Sequence, residues 1–145
     1  MKSIVIYYSY GGNTRHVAEK VAAEIGADLA EIETVKPYTG SYDHVVEQGQ
    51  KEVNSGFQPK IRQINADLSK YDTVILGTPV WWYTFAPAMN SFLHSVDLSE
   101  KSVYPFATNG GWIGHTFKDF ENACKGATVH AGLNVRFNEE KQITS

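Results

Sequence analysis

The chain reads as one α/β domain over residues 1–145, with a doubly wound, five-stranded parallel sheet in the order 2-1-3-4-5. Three observations predict this. Short β-branched and aromatic runs alternate with helical stretches along the chain. The first run, KSIVIYY at 2–8, lacks polar alternation, as a strand buried on both faces does. Three loops of unusual composition, SYGGNT, TPVWWYT and TNGGW, each follow a strand, at the sheet end where open α/β sheets bind ligands.

The elements follow in order. From Asn13 the apolar positions Val17, Ala18, Val21, Ala22 and Ile25 share one helical face, and Gly26 ends the helix. DLAEIETV at 28–35 alternates, as a half-exposed strand would. Residues 36–60 are punctuated by Pro37, Gly40, Gly49, Gly56 and Pro59, with an interrupted helix expected near Tyr42–Asn54. Asp67, Leu68 and Tyr71 suggest a short helix or turn. TVILGTP at 73–79 is the clearest later strand, followed by the WWYTF loop. Pro87 opens a helix whose stripe is Phe85, Met89, Phe92, Leu93 and Val96. SVYPFAT at 102–108 is a strand in which Pro105 is awkward. A helix through Phe117, Phe120 and Ala123 and a fifth strand at 127–135 complete the pattern.

Composition narrows the function. The net charge of −3 comes with no Lys/Arg cluster, which argues against a nucleic-acid partner. No apolar run approaches the ~20 residues of a membrane span, and the N-terminal apolar run is too short for a secretory signal. The one cysteine, Cys124, precludes a disulfide within the chain and suits a reducing, cytoplasmic location. His16, His44, His94, His115 and His130 have no partners at metal-ligand spacing. Only His115, just past the third loop, is placed to reach a ligand there.

Ser9-Tyr10-Gly11-Gly12-Asn13-Thr14 turns from a buried strand into a helix start. Backbone N–H groups and the positive end of the helix dipole meet at such a corner, and glycines let the backbone curl around an anion. Neither the lysine of a P-loop nor a three-glycine dinucleotide fingerprint is present, so a single monoester phosphate is the guest that fits. The same residues also make a good capped helix start. Arg15 either assists or faces solvent, and Tyr10 lies over the loop or at the surface. A flat apolar ring needs aromatic faces to stack on and backbone groups at its polar edge. The second loop supplies Trp81, Trp82 and Tyr83, and the third supplies Trp112.

As a set, these residues resemble the flavodoxin family, with glycine replacing the middle hydroxyl of its Ser/Thr-x-Thr-Gly-Asn-Thr loop. GTPVWW…APAMNSFL is similar to a bacterial flavodoxin-like subgroup that includes oxidoreductases. The resemblance implies non-covalent FMN. Ser9, Gly11, Gly12, Asn13 and Thr14 would hold its phosphate, and Trp81 and Trp112 would flank its ring. Backbone around Pro79 and Val80, and around Thr108, Asn109, Gly110 and Gly111, would meet the ring's polar edge, with the Asn109 amide in place of a frequent acid. No catalytic side chain and no metal are implied. Three departures stand out. Trp82 occupies a position often held by a glycine whose peptide flips on reduction, and a bulky residue takes φ > 0 only with strain. The WWYTFAP loop carries no carboxylate. After the fifth strand only FNEEKQITS follows, so the closing C-terminal helix is missing or truncated, or a homo-oligomer covers the open face.

The expected function is electron transfer by an FMN-binding protein, with a partner protein or a small-molecule acceptor. The alternative is an NAD(P)H-dependent oxidoreductase acting on a quinone-like or nitroaromatic substrate. A third reading is a phosphate-binding domain without redox activity.

Overall fold

The computed structural model describes residues 2–137. In chain order the elements are β1 (Ser3–Tyr7), α1 (Asn13–Ile25), β2 (Asp28–Glu31), α2 (Tyr42–Ser55), a 3₁₀ turn (Leu68–Lys70), β3 (Thr73–Trp81), β4 (Thr84–Phe85), α3 (Pro87–Ser95), β5 (Ser102–Asn109), α4 (Thr116–Ala123), β6 (Thr128–Val129) and β7 (Leu133–Arg136). The sheet runs β2-β1-β3-β5 in parallel, and β6 and β7 both pair with the far edge of β5. With β6 and β7 as two halves of one edge strand, this is the doubly wound order expected from the sequence.

Caps explain the helix ends. Gly26 and Gly56 adopt left-handed φ values of 67° and 68° past α1 and α2, and their N–H groups return to Ala22 and Glu52 carbonyls. Ser41 caps α2 by accepting from the His44 N–H. Pro87 occupies the first turn of α3, where its missing N–H costs nothing.

Three details differ from the expectation. The strand at 28–35 ends at Glu31, after which Thr34 makes an isolated antiparallel bridge to Ile61. The strand at 127–135 is broken between Val129 and Leu133, where Gly132 presses so close to Phe117 that a Cβ would lie 2.4 Å from its ring. Pro105 sits opposite this break, because β6 pairs with Ser102 and Val103 and β7 starts at Phe106. A residue without an N–H is tolerated where the neighbouring strand is interrupted. The third detail is β4. It pairs antiparallel with the end of β3, Val80 with Phe85 and Trp81 with Thr84, so the WWYTF segment is a hairpin rather than a plain loop.

The sheet divides the core. One face packs Ile4, Ile6, Val74, Leu76 and Trp81 against Val45 of α2, Met89 and Phe92 of α3 and Phe120 of α4. The other packs Val5, Tyr7, Ile75 and Phe106 against Ala18 and Ala22 of α1. Burying each large apolar side chain contributes about 1.5–3 kcal/mol. The loops at the carboxyl ends of β1, β3 and β5 therefore stand on this packed core.

Candidate functional site

The corner after β1 is built by its backbone. Gly12, the residue before α1, has φ 106°. A Cβ there would meet nothing within 4 Å, so the dihedral and not the space calls for glycine. The Gly12 N–H donates to Ser9 Oγ at 3.0 Å, which closes the loop on itself. The intrahelical ladder starts with His16 N–H on the Gly12 carbonyl, so the amides of residues 13–15 precede it at the positive end of the helix.

Direct contacts tie the other two loops to this corner. Thr14 and Thr108 are both buried, and their hydroxyl oxygens lie 2.7 Å apart, joining the start of α1 to the end of β5. Trp81, last residue of β3, meets Tyr8 and Tyr10 edge-on at ring-centroid distances of 6.1 and 5.9 Å. Tyr83 and Trp112 touch at 4.6 Å. His115 N–H donates to the Tyr83 carbonyl at 2.8 Å. Thr84 Oγ1 donates to Asp119, which also takes His115 Nδ1 at 2.5 Å. The three loops thus form one rim.

Within that rim several residues sit differently from the sequence reading. Trp81 is 0% exposed and is no open plate. Its side chain turns to the α2 face, where Tyr38 meets it at 5.0 Å and Gly49 of α2 makes room; a Cβ at Gly49 would lie 3.2 Å from Trp81 Cε3. The exposed aromatics are Trp112 at 61% and Tyr83 at 45%. Trp82 is half-buried, and its indole N–H donates to the Val46 carbonyl of α2 at 3.0 Å. The Asn109 amide is already spent: Nδ2 donates to Asn134 Oδ1 at 2.5 Å, and Oδ1 accepts from Gly111 N–H at 3.0 Å. Arg15 pairs with Glu31 at the end of β2, at 2.6 Å. Pro79 and Val80 continue β3, buried and facing Thr108 and Phe85 respectively. Gly110 and Gly111 carry the chain from β5 to Trp112, Gly110 buried and Gly111 exposed.

One atom bears on what the rim could hold. Trp81 Nε1 is buried and has no hydrogen-bond partner among the described residues. Cε3 and Nε1 lie on opposite edges of an indole, so with Cε3 against Gly49 the N–H faces away from α2. Buried donors are nearly always paired, and an exception calls for an explanation. An anionic or carbonyl oxygen from a ligand at the neighbouring corner would supply the missing acceptor. The two buried phenols beside Trp81 add no negative charge of their own. Burial, with Tyr10 and Glu52 adding to it, pushes the Tyr8 phenol well above the ordinary tyrosine range. Burial and the hydrogen bond to Glu52 do the same for Tyr38. Both phenols stay protonated. Hydroxyls, amides and a buried indole N–H fit a phosphate monoester with a flat ring beside it.

Sequence reasoning missed Thr108 as the partner of Thr14, Asn134 as the partner of Asn109, and Gly114. Gly114 has φ 59°, and a Cβ there would stand 2.3 Å from the Tyr83 carbonyl oxygen. The Gly-Gly-Trp-Ile-Gly run offered a signal for Gly114; nothing in the sequence marks Asn134. Cys124 is buried, and burial pushes its thiol up to about 11, so it supplies no nucleophile. Among the described residues no group of three or more His, Cys, Asp or Glu could hold a metal, and no helix is long and apolar enough to cross a membrane.

A doubly wound sheet with three strand-end loops joined around an anion-directed helix start defines a protein of the mononucleotide-binding α/β class. Comparison with known proteins gives the family: the model described as Flavodoxin matches residues 2–144, and the chain belongs to the flavodoxin family. It is similar to a candidate flavoprotein from Bacteroides eggerthii, at 31% identity and TM-score 0.85, over 98% of this chain and 92% of that one. It is also similar to a flavoprotein in complex with FMN from Lactobacillus acidophilus, at 25% identity and TM-score 0.79, over 92% and 91%. A curated relative, the uncharacterized NAD(P)H oxidoreductase YcaK of Escherichia coli, is 21% identical over 87 residues, 57% of this chain. The chain spans 44% of that relative's length.

Proposed function

We propose that this is a single-domain FMN-binding protein that acts in electron transfer. The observation that carries the reading is the joining of the three strand-end loops into one rim, held by the Thr14–Thr108 contact and the Tyr83–Trp112 pair. The complex of the Lactobacillus flavoprotein with FMN supports the choice of cofactor. Ser9 and the backbone of residues 11–14 hold the phosphate, with Thr14 fixed by Thr108, and the Trp81 indole N–H donates to an oxygen of the cofactor. Trp112 and Tyr83 supply the aromatic wall, and backbone at 79–83 and 108–111 meets the polar edge. When bound, FMN supplies one- and two-electron chemistry; the chain binds, orients and screens it from water. The redox partner is a second protein or a small-molecule acceptor, and a cytoplasmic location and a homo-oligomer accompany this reading.

Titrating FMN and riboflavin into the chain tests it. FMN turns the protein yellow and binds with measurable heat, while riboflavin, without the phosphate, binds far more weakly. A colourless protein that takes up neither defeats the reading. Trp81→Phe weakens FMN binding about three- to tenfold, the worth of one hydrogen bond. The relative named as an NAD(P)H oxidoreductase favours a second reading, a flavin enzyme. Rapid bleaching of the flavin band by NADPH, with no reductase added, would establish that one over the carrier.

A further inference from the structure

A cleft of about 220 Å³ opens beside the hairpin, between the C-terminal end of α2 and the β4–α4 side. Phe57, Phe85, Glu52, Asn90, His115 and Asp119 are among its lining residues. None of them belongs to the glycine corner. We propose that this cleft is a second ligand site, which takes an uncharged one- or two-ring aromatic compound bearing a hydroxyl, with His115 Nε2 accepting the hydroxyl proton in a hydrogen bond.

Size sets the first limit. A dry apolar cavity of about 150 Å³ takes up benzene, so this space suits up to two fused rings. The walls set the second, because Phe57, half exposed, and Phe85, buried, present aromatic surface for a flat ring. The histidine sets the polarity. Asp119 holds His115 Nδ1 at 2.5 Å and accepts from the Thr84 hydroxyl through the same oxygen. When the imidazole is neutral and its Nδ1–H donates to the carboxylate, the ring and its tautomer are fixed and Nε2 is the acceptor, so the probes below are compared at a pH where the ring is neutral. That arrangement asks the ligand for a donor. Two lining carboxylates, Glu52 and Asp119, disfavour an anion in the same space. Glu52 already accepts from Tyr38 and Gln48, and Asp119 from Thr84 and His115, which makes His115 Nε2 the acceptor we assign to the ligand. The site adjoins the rim directly, since His115 N–H holds the Tyr83 carbonyl. A small-molecule redox partner seated here would lie against the hairpin, but the inference does not depend on FMN.

Three probes on the full chain, without and with saturating FMN, test it: 2-naphthol, its methyl ether and 2-naphthoate, each followed by backbone amide chemical shifts. 2-Naphthol should shift residues 52–57, 84–90 and 115–119. The methyl ether, which has no donor, should bind about three- to tenfold more weakly, and 2-naphthoate not at all. His115→Phe should erase the preference for naphthol over its ether. The His115 side chain is 60% exposed, so this variant leaves the core intact. Asp119→Asn, which keeps the shape but releases the imidazole, should reduce the preference as well. Equal binding of the three probes, an unchanged preference in His115→Phe, shifts centred on residues 9–14, or no binding of 2-naphthol overturns the proposal. Failure of the FMN reading shows separately, as a protein that FMN does not colour.

Discussion

Two turns on the same rim need left-handed backbone, and they meet the need in opposite ways. At the corner before α1, Gly12 takes φ 106° in open space. At the tip of the β3–β4 hairpin, Trp82 and Tyr83 take φ 49° and 72°. Two consecutive left-handed residues are what a two-residue I′ hairpin requires, and Asn-Gly normally supplies them. Each side chain held there costs roughly 1–2 kcal/mol. The cost is offset by contacts that glycine could not make. Trp82 bonds the Val46 carbonyl, Tyr83 packs on Trp112, and Gly114 lies flush against the Tyr83 backbone. The corner offers backbone to an anion and has no use for side chains; the tip presents aromatic surface and so carries strain. This also bears on one expectation from sequence. The sequence allows Trp82 φ > 0 only with strain, and the hairpin is what holds it there.

The contrast breaks most sharply at Gly114. A methyl group at this position meets the Tyr83 carbonyl at 2.3 Å, and φ 59° is itself unfavourable for alanine. Gly114→Ala should cost about 3 kcal/mol and lower the urea midpoint without changing the m-value. Gly12→Ala, with equal chemistry but free space, should cost only about 1–2 kcal/mol. If the two losses are equal, the hairpin is not braced by its neighbour and the comparison fails. Between them falls Thr14→Val. It removes one hydroxyl of the buried Thr14–Thr108 pair and leaves Thr108 short of that partner, for about 2 kcal/mol. A double-mutant cycle with Thr108→Val should return most of that loss as coupling.

Legibility in the sequence followed the same divide. Features fixed by local backbone chemistry could be read: the apolar stripe of α1, its Gly26 stop, Pro87 at the head of α3, and the glycine corner itself. α2 was legible in outline despite Gly49, whose purpose is tertiary, since it clears space for Trp81. The hairpin was illegible because Trp-Tyr carries no turn signal; its conformation is imposed by residues some thirty positions away, at 114 and 115. The sequence places Trp81 as a plate beside the ring, because one position past a strand core gives no way to choose between the two faces of the sheet. The break between β6 and β7 escaped for a related reason: Gly132 answers to Phe117, a contact that no periodicity records.

The pH dependence separates core from rim. Burial holds the Cys124 thiol near 11, above its ordinary value of 9.0. The folded state therefore disfavours the thiolate. Below pH 9 the protonated thiol is at home in both states and the stabilisation is complete; as pH rises from about 9 to 11 the unfolded chain ionises first and stability falls, by up to roughly 2 kcal/mol. Cys124→Ala should remove the part of the fall that begins near pH 9 and leave the steeper fall from about pH 10, where the unfolded chain ionises tyrosines that burial keeps protonated at Tyr8 and Tyr38; rim variants at Gly12 or Gly114 should keep the slope of the parent chain. A parent chain whose stability is level between pH 9 and 11 would contradict the buried-thiol account.

The smallest expected effect is the most discriminating for the strained tip. Tyr83→Gly removes a side chain that is 45% exposed and relieves a φ of 72°. Relief of the left-handed backbone gains roughly 1–2 kcal/mol. Against it stand the lost contact with Trp112, about 0.5–1.5 kcal/mol for an aromatic pair, and the extra entropy of a glycine in the unfolded chain, about 0.5–1 kcal/mol. The sum lies near zero, so the urea midpoint should hardly move. FMN affinity should nevertheless fall, because the wall beside Trp112 is gone, and Trp112 fluorescence should change as its tilted neighbour leaves. Unchanged stability with weakened binding would mark the strain at the tip as serving the ligand. A gain of stability with binding intact would mean that the tyrosine contributes nothing at the rim, and a large loss of stability would mean that the hairpin depends on its side chain rather than on Gly114.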